Sequence, residues 1–216
     1  MKVWEKKLIK KIEERLAEDN TGHDLYHALR TRLIALFIAG KEKSDKEVLS
    51  AAALIHDIGR MNEPKRWHVD VALEFAKKEL PKTGFPESKI KQVIEAVKLH
   101  EDKSWIMGKK QKPEFKETLI LQDADRLDII GAIGISRSFV FAGAHKFPIY
   151  NPKQGLKKYY QEGELIPDEM RHIEEHLLPM RFHTKAAINI ADKRKRFLKN
   201  FICAFKREWE EFGDHF

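Results

Sequence analysis

The chain has 216 residues, of which 42% are hydrophobic, 10% aromatic and 35% charged, and its formal net charge is +7. This length predicts a single domain with a core large enough to enclose a site, and the composition excludes a disordered chain. An excess of basic residues attracts nucleic acid, acidic lipid or a phosphorylated small molecule. The net charge alone does not indicate which of these is the ligand.

The sequence does not indicate secretion or membrane insertion. Cys203 is the only cysteine, so no internal disulfide can form, in agreement with a reducing compartment. Residues 1–16 alternate charged and apolar side chains instead of forming the apolar centre of a signal peptide. The longest apolar runs are too short to cross a bilayer. We therefore expect a cytoplasmic protein without a membrane segment.

The apolar residues recur at spacings of three and four, the period of a helix, and the sequence shows no persuasive alternating strand pattern. The sequence therefore predicts an all-α fold. Glycine and capping residues bound the helices: Gly40 closes the second, and Ser44 with Glu47 forms a capping box before the third. In chain order the predicted helices cover 3–18, 23–40, 46–58, 67–80, 86–100, 115 to beyond 125, 168–178 and 184–212.

Two longer segments are predicted to be irregular. Residues 102–113 are polar, and residues 145–167 contain three prolines and two glycines. Loops of such length in a compact domain are usually functional or mobile. We expect one domain over 1–216 with a core at about 20–145, on which the excursion at 145–167 and the C-terminal helices at 168–212 pack.

His56 and Asp57 follow the apolar run 48–55 at the predicted end of a helix. A neutral imidazole and a carboxylate are both good ligands for a divalent ion. At a helix end the backbone can turn both side chains toward one point. The alternative is a buried histidine bonded to its neighbour beside an aspartate that satisfies a turn, and the dipeptide alone leaves both interpretations open.

A second group of histidines lies at the start of the second predicted helix. His23 and His27 are four residues apart and therefore share a helix face. Asp24 lies three residues before His27 and is a candidate to orient its second ring nitrogen, as carboxylates around metal ligands commonly do. The alternative makes Asp24 a partner of the helix dipole and leaves the histidines on the surface.

The third group is the acidic run QDADRLD at 122–128, which interrupts an otherwise apolar stretch. Charges are rarely buried without pairing or coordination. Asp125 and Asp128 are three residues apart on one helix face, whereas Asp123 points elsewhere. A structural network of Asp128 with a nearby arginine is an alternative for that residue, and it explains Asp125 less well.

These groups together resemble the HD-domain superfamily of metal-dependent phosphohydrolases, which is named for its His-Asp pair. The order His-x-x-Arg at 27–30, His-Asp at 56–57 and a distant Asp125 carries the resemblance. It extends to a branch in which some members act on nucleoside triphosphates, and it covers the chain from about residue 21 to the C-terminus. The shared motifs are GHDxxH at 22–27, HDIG at 56–59, QDADRLD at 122–128, GAIGI at 131–135 and PIYNP at 148–152.

The resemblance implies an HD-domain helical bundle with a C-terminal helical extension. It also implies a metal site, and the spacing to Arg30 selects His27 over His23 as the first ligand. The implied ligands are His27, His56, Asp57 and Asp125. Asp24 and Asp128 are expected around them, and the candidates for catalytic or phosphate contact are Arg60, His68, His100 and Arg137.

Several expectations for these candidates remain open. In some superfamily members, histidines at places comparable to His68 and His100 bind a second metal or the phosphate. The alternatives are a solvated His68 near a helix start and a His100 that acts as a cation at a helix C-terminus. The sequence departs from the branch at Thr31, where valine is common, and at Glu101, where serine is common, and both departures leave the choice of substrate in doubt.

Two imidazoles and two carboxylates suit manganese, iron, cobalt, nickel or zinc better than calcium. We expect manganese, with those metals and magnesium as alternatives. Such an ion lowers the pKa of a bound water and polarises a phosphoryl oxygen. The expected activity is hydrolysis of a phosphorylated small molecule, namely a nucleotide, with release of either pyrophosphate or phosphate.

The other function considered is a basic nucleic-acid-binding module with a degenerate HD site, suggested by the run KRKR at 193–196. It leaves the three His and Asp groups unexplained, so we do not expect a nucleic-acid partner. A solvated helix face is the simpler interpretation of that run. A homodimer is possible through apolar residues such as Trp209. Four aromatic residues are candidates to stack on a base, with core packing favoured for the first: Phe139, Phe141, Phe147 and Tyr150.

Overall fold

A computed structural model of the chain describes residues 1–60, 65–101, 112–152 and 168–211. The fold is all-α, as the sequence predicts, and the described residues contain no β-strand. The helices are α1 (Val3–Leu16), α2 (Leu25–Glu42), α3 (Lys46–Ile55), α4 (His68–Glu79), α5 (Ile90–Lys98), α6 (Lys116–Asp128), α7 (Gly131–Ala144), α8 (Glu169–His172) and α9 (Lys185–Glu210). Most of the irregular segments predicted at 102–113 and 145–167 lies outside the described residues.

The ends of α2 and α3 differ from the prediction. Helix α2 continues past Gly40 to Glu42 and ends with Lys43 in the left-handed region, at φ 54°. The N-cap of α3 is Asp45, not Ser44, because the Asp45 carboxylate accepts hydrogen bonds from the backbone N–H groups of the two residues after Lys46. Both residue types can cap a helix. The capping-box pattern therefore placed the N-cap of α3 one residue too early.

Helix α3 is the central element of the fold. All eight residues of Val48–Ile55 are buried, and the helix packs against α1, α2, α5 and α6. Each large apolar side chain buried there contributes roughly 1.5–3 kcal/mol. Because residues 48–55 have no solvated face, the C-terminal end of α3 lies in the interior of the bundle. The residues that directly follow Ile55 therefore also lie inside the bundle.

Helix α3 ends at Ile55, three residues earlier than predicted, and the chain then turns through Gly59. A Cβ on Gly59 would lie 2.5 Å from the carbonyl oxygen of His68, a distance that side-chain atoms do not tolerate. The missing side chain therefore allows the turn after α3 to lie directly against the first residue of α4.

The C-terminal extension begins with α8, which continues into a π-helical turn at Ile173–Leu177, and ends with the long helix α9. Helix α9 packs against α2, α6 and α7. Asp123 anchors its start, since its carboxylate accepts from the backbone N–H groups of His183 and Thr184 at 2.8 and 2.7 Å. This explains why Asp123 points away from Asp125.

The basic run on α9 is partly used within the chain. Arg194 donates to the carbonyl oxygen of Leu127, and Lys195 donates to that of Met180. Two of the four basic side chains therefore bind backbone carbonyls. Within the described ranges no single helix has the length and apolar character needed to cross a membrane, although α6 and α7 pass that test as a pair bent by 80°.

Candidate metal centre

The end of α3 directs His56 toward the interior of the bundle. His56 is fully buried, and its Nδ1 lies 2.8 Å from the carbonyl oxygen of Ala53. A carbonyl only accepts hydrogen bonds, so Nδ1 carries the proton of the neutral ring. The Nε2 atom of His56 is therefore left with a free lone pair, which is the form of imidazole that binds metals.

The start of α2 places His27 opposite His56. Asp24 is the N-cap of this helix and accepts from the backbone N–H of His27 at 2.8 Å. The carboxylate on the imidazole is not Asp24 but Asp128, whose Oδ2 lies 2.8 Å from Nδ1 of His27. The expectation that Asp24 orients the ring is therefore wrong, and Asp128 has that role.

Asp128 is itself held by two arginines. Arg30 donates to both of its carboxylate oxygens at 2.9 and 3.0 Å. Arg137 donates to Oδ2 at 3.0 Å and to the carbonyl oxygen of Gly22 at 2.7 Å. Burial raises the pKa of Asp128, but the bonds from His27 and Arg30 outweigh it and lower that pKa to about 2. Asp128 is therefore a carboxylate, and Arg137, a candidate for phosphate contact, binds Asp128 and the carbonyl of Gly22.

Four side chains converge between α2, α3 and α6. The Nε2 atoms of His27 and His56 are 3.1 Å apart, and they lie 3.3 and 3.4 Å from Oδ2 of Asp57. Both are 3.6 Å from Oδ1 of Asp125. One ligand atom from each of the four residues falls within 4.8 Å of all the others. The structure thus brings together all four residues that the sequence selects as ligands.

This arrangement fits a divalent cation on its own chemistry. Two imidazole lone pairs and two carboxylates point at one another, and such groups repel unless a positive charge lies between them. Burial opposes a charge on His56, yet Asp57 and Asp125 outweigh it and raise the pKa of His56 to about 9. The cluster therefore requires a positive charge, either a proton on His56 or a cation with nitrogen and oxygen ligands.

A second group lies on the other side of Asp57. Its Oδ1 is 3.5 Å from Nε2 of His68 and 3.4 Å from Nε2 of His100, and these two nitrogens are 3.3 Å apart. His68 is fully buried, so the alternative of a solvated residue is wrong. Nδ1 of His100 lies 2.7 Å from the carbonyl oxygen of Val97, which leaves its Nε2 directed at Asp57. Asp57 thus faces one group with each oxygen.

Arg60 completes this second group. It donates to Oδ1 of Asp57 at 3.1 Å and also binds Glu101. Burial raises the pKa of Asp57, but Arg60 and His56 overcome that effect and hold the pKa well below its usual range. Glu101, at a position where the resembling branch often has serine, therefore partly neutralises Arg60 and adds a carboxylate 3.8 Å from His68.

Sequence reasoning set aside one residue that the structure brings to this centre. His23 lies with Nε2 3.8 Å from Oδ2 of Asp57, and burial lowers the pKa of His23 well below its ordinary value. Its four-residue spacing from His27 was the available signal, because that spacing puts both rings on one face. The sequence-based prediction selected His27 and set His23 aside, whereas both rings lie near Asp57 in the structure.

Comparison with known proteins agrees with this architecture. Residues 24–130 match the protein-family model described as "HD domain". The Bacillus subtilis protein YpgQ is 28% identical over 198 residues, which are 91% of this chain and 89% of YpgQ. A crystal structure of YpgQ in complex with ADP superposes with a TM-score of 0.69 at 26% identity, covering 95% of this chain and 94% of that one.

Two further solved structures cover nearly the whole chain. One is a Lactobacillus plantarum protein with a TM-score of 0.78 and 25% identity, covering 97% of this chain and 98% of that one. The other is an HD-superfamily hydrolase from Bacillus thuringiensis with a TM-score of 0.67 and 28% identity, covering 95% and 96%. Residues 24–130 are therefore similar to an HD domain, and the fold of the chain is similar to that of the HD-superfamily hydrolase from Bacillus thuringiensis.

Proposed function

We propose that this protein is a metal-dependent phosphohydrolase that acts on nucleotides. The observation that carries the proposal is the pair of imidazole lone pairs, on His27 and His56, that face the carboxylates of Asp57 and Asp125 at 3.3 to 3.6 Å. These four residues would hold the cation. When bound, it would activate water and polarise a phosphoryl oxygen. Manganese is the proposed metal, because both ligand types suit it.

The remaining residues of the centre have separate proposed roles. Asp128 fixes the ring of His27 so that its Nε2 lone pair faces the cluster. The group formed by Arg60, His68 and His100 lies one carboxylate away. Arg60 offers a guanidinium donor for the oxygens of a phosphate chain, and the Nε2 atoms of His68 and His100 form with Asp57 a second group that could hold a metal ion. Hydrogen-bond donors fixed in advance around a reacting phosphate stabilise the charge that develops on it.

The nucleotide part of the proposal has two supports. YpgQ, which is similar to this chain over nearly its full length, was crystallised in complex with ADP. The motifs QDADRLD and GAIGI at 122–135 resemble the HD branch in which some members act on nucleoside triphosphates. Release of pyrophosphate and release of phosphate both fit this centre, because the same attacking water serves either. A single domain over 1–216, a homodimer and a cytoplasmic location stay predictions from the sequence.

The test is metal analysis of the purified protein, followed by a nucleotide screen with added manganese that separates phosphate from pyrophosphate. We expect His56→Ala and Asp57→Ala to lose both the bound metal and the activity. Asp192→Ala, an exposed position on α9, is the matched control and should keep both. Full metal content and activity in either site variant would remove the assignment. A metal-loaded protein that is inert toward every phosphorylated compound would contradict the reaction itself.

A further inference from the structure

A line of aromatic rings leads from the metal centre to the surface, and we refer to it as the aromatic strip. It consists of His23, Phe141, His145 and Phe147. The His23 ring lies edge-on to Phe141 at 5.6 Å, and Phe141 stacks on His145 at 4.0 Å with 28° between the planes. The His23 side chain is 13% exposed, Phe141 is half-buried and His145 is exposed. The strip therefore rises outward from Asp57.

The inner end of the strip is oriented by a relay of hydrogen bonds. The hydroxyl of Thr21 lies 3.0 Å from Oδ2 of Asp19 and 2.9 Å from Nδ1 of His23. A carboxylate only accepts, so the single hydroxyl proton of Thr21 goes to Asp19 and the threonine oxygen accepts from Nδ1–H of His23. The opposite atom, Nε2 of His23, is then an acceptor that faces the centre.

The outer end is fixed by the way α7 stops. Lys146 adopts φ 60°, and the backbone N–H of Phe147 donates to the carbonyl oxygen of Ala142 at 2.8 Å. This is the bonding pattern of a Schellman helix end, and it brings Phe147 to 5.7 Å from His145. The ring of His145 is held as well, since its Nδ1 lies 2.9 Å from the carbonyl oxygen of Phe141.

We propose that the aromatic strip is the nucleoside subsite of this enzyme. The base stacks on the Phe141–His145 pair, and a sugar hydroxyl donates to Nε2 of His23. This inference rests on the proposed function. It requires an accessible aromatic ring beyond the metal centre and an acceptor between that ring and the phosphates. The exposed ring of His145, stacked on Phe141, and Nε2 of His23 are the groups that the strip offers for these roles. His23 lies on the Oδ2 side of Asp57. With the nucleoside on that side, the phosphate chain extends toward the Oδ1 side of the same carboxylate.

That opposite side has the right chemistry for phosphates. Oδ1 of Asp57 faces Arg60, whose guanidinium donates to oxygen, and the Nε2 atoms of His68 and His100, which form with Asp57 a second group that could hold a cation. The centre thus has aromatic rings on one side and, on the other, a cationic guanidinium and two imidazole nitrogens. A nucleoside polyphosphate has the same polarity, with a flat base at one end and anionic oxygens at the other.

The first experiment compares ATP with inorganic tripolyphosphate, which shares the phosphates and lacks the nucleoside. The quantity measured is the ratio of kcat/KM for the two compounds. Base stacking contributes about 1–3 kcal/mol, so Phe141→Ala and His145→Ala should each lower the ratio about tenfold or more. Phe197→Ala, an exposed phenylalanine on α9, is the control and should leave the ratio unchanged. Phe141→Leu keeps the apolar bulk if alanine impairs folding.

Equilibrium binding of ADP and of pyrophosphate gives a readout that does not depend on turnover. Phe141→Leu should weaken ADP about tenfold more than it weakens pyrophosphate. An equal effect on both ligands, or none on either, would overturn the inference. A wild-type protein that prefers tripolyphosphate over ATP would also overturn it while leaving a phosphohydrolase in place. A protein that cleaves neither compound would end both proposals.

The His23 relay is tested separately through its tautomer. Nitrogen NMR of labelled histidine should show the proton of His23 on Nδ1. Thr21→Val removes the hydroxyl and should shift the proton toward Nε2 and raise KM for ATP. Thr21→Ser should restore both values, because serine keeps the acceptor oxygen. A wild-type His23 with its proton on Nε2, or a Thr21→Val variant with unchanged tautomer and KM, contradicts this part of the subsite.

Discussion

Nδ1 of His27 and Oδ2 of Asp128 are joined at 2.8 Å across 101 residues of the chain. Metal-binding histidines are commonly oriented by such a carboxylate, and loss of the carboxylate typically costs 10–100-fold in metal affinity. We expect Asp128→Asn to weaken manganese binding by about that factor, because an amide can donate to Nδ1 and stabilise the wrong tautomer of His27. Asp192→Asn is the control, and a metal titration is the measurement. Unchanged affinity in Asp128→Asn would show that the bond does not orient the ligand.

Replacement of His68 or His100 should separate chemistry from metal binding in the first cluster. We expect His68→Ala and His100→Ala to keep the ion at His27 and His56, because neither belongs to that group of four. The loss of an imidazole that orients the reacting phosphate, either directly or through a second cation, should lower kcat by about a hundredfold. Metal analysis and kinetics on the same sample provide the check. A variant with full kcat would exclude the phosphate role of that histidine.

The pH dependence of stability should include a contribution from Glu169. This residue is 4% exposed, and burial raises the pKa of its carboxyl from 4.5 to about 8, while a bond to Ser138 opposes the rise. The folded protein then keeps a proton that the unfolded chain has released, so the contribution of Glu169 is full below about pH 4.5 and is lost as the pH rises to about 8.

Glu169→Gln keeps the neutral form at every pH and should therefore flatten this part of the profile. We expect the variant to be more stable than the wild type at pH 8 and to approach it at pH 5, as measured by urea unfolding. Glu174→Gln, on the next turn and half-buried, is the control and should retain the wild-type slope. A wild-type slope in Glu169→Gln would mean that the carboxyl is not protonated in the folded state.

The left-handed end of α2 offers a test that is independent of the metal centre. Lys43 has φ 54°, a conformation that costs side-chain-bearing residues about 1–2 kcal/mol and glycine very little. Lys43→Gly should therefore raise the free energy of unfolding by up to about 1 kcal/mol. The matched change Lys41→Gly, inside the same helix, should lower it by about 1 kcal/mol. Equal effects of the two changes would contradict the described helix end.

The sequence predicted most of what is local and repetitive. The helical period located the helices because buried faces repeat every three or four residues. Helix α3 is central because residues 48–55 are apolar apart from Ser50 and all of them are buried. The helix ends were less predictable. Ser44 and Asp45 are adjacent and both able to cap, and only the direction of the entering chain decides between them.

The metal centre, too, could be predicted from the sequence only in part. The family motif selected the four residues that the structure brings together. It did not reveal that Asp128 rather than Asp24 binds the ring of His27, because Asp24 is close in sequence and Asp128 is close only after α2 and α6 have packed. The motif also did not select His23, whose backbone N–H is bound by Asp19 and whose ring is bound by Thr21.

Gly59 sets the spacing between the two histidine groups. Because its α-carbon lies against the backbone of His68, the separation of α3 and α4 at this point is fixed by main chain touching main chain. Side-chain rotation and protonation leave such a contact unchanged. This contact therefore sets the distance between the two groups around Asp57, and any change in that distance has to begin with a movement of the main chain at Gly59.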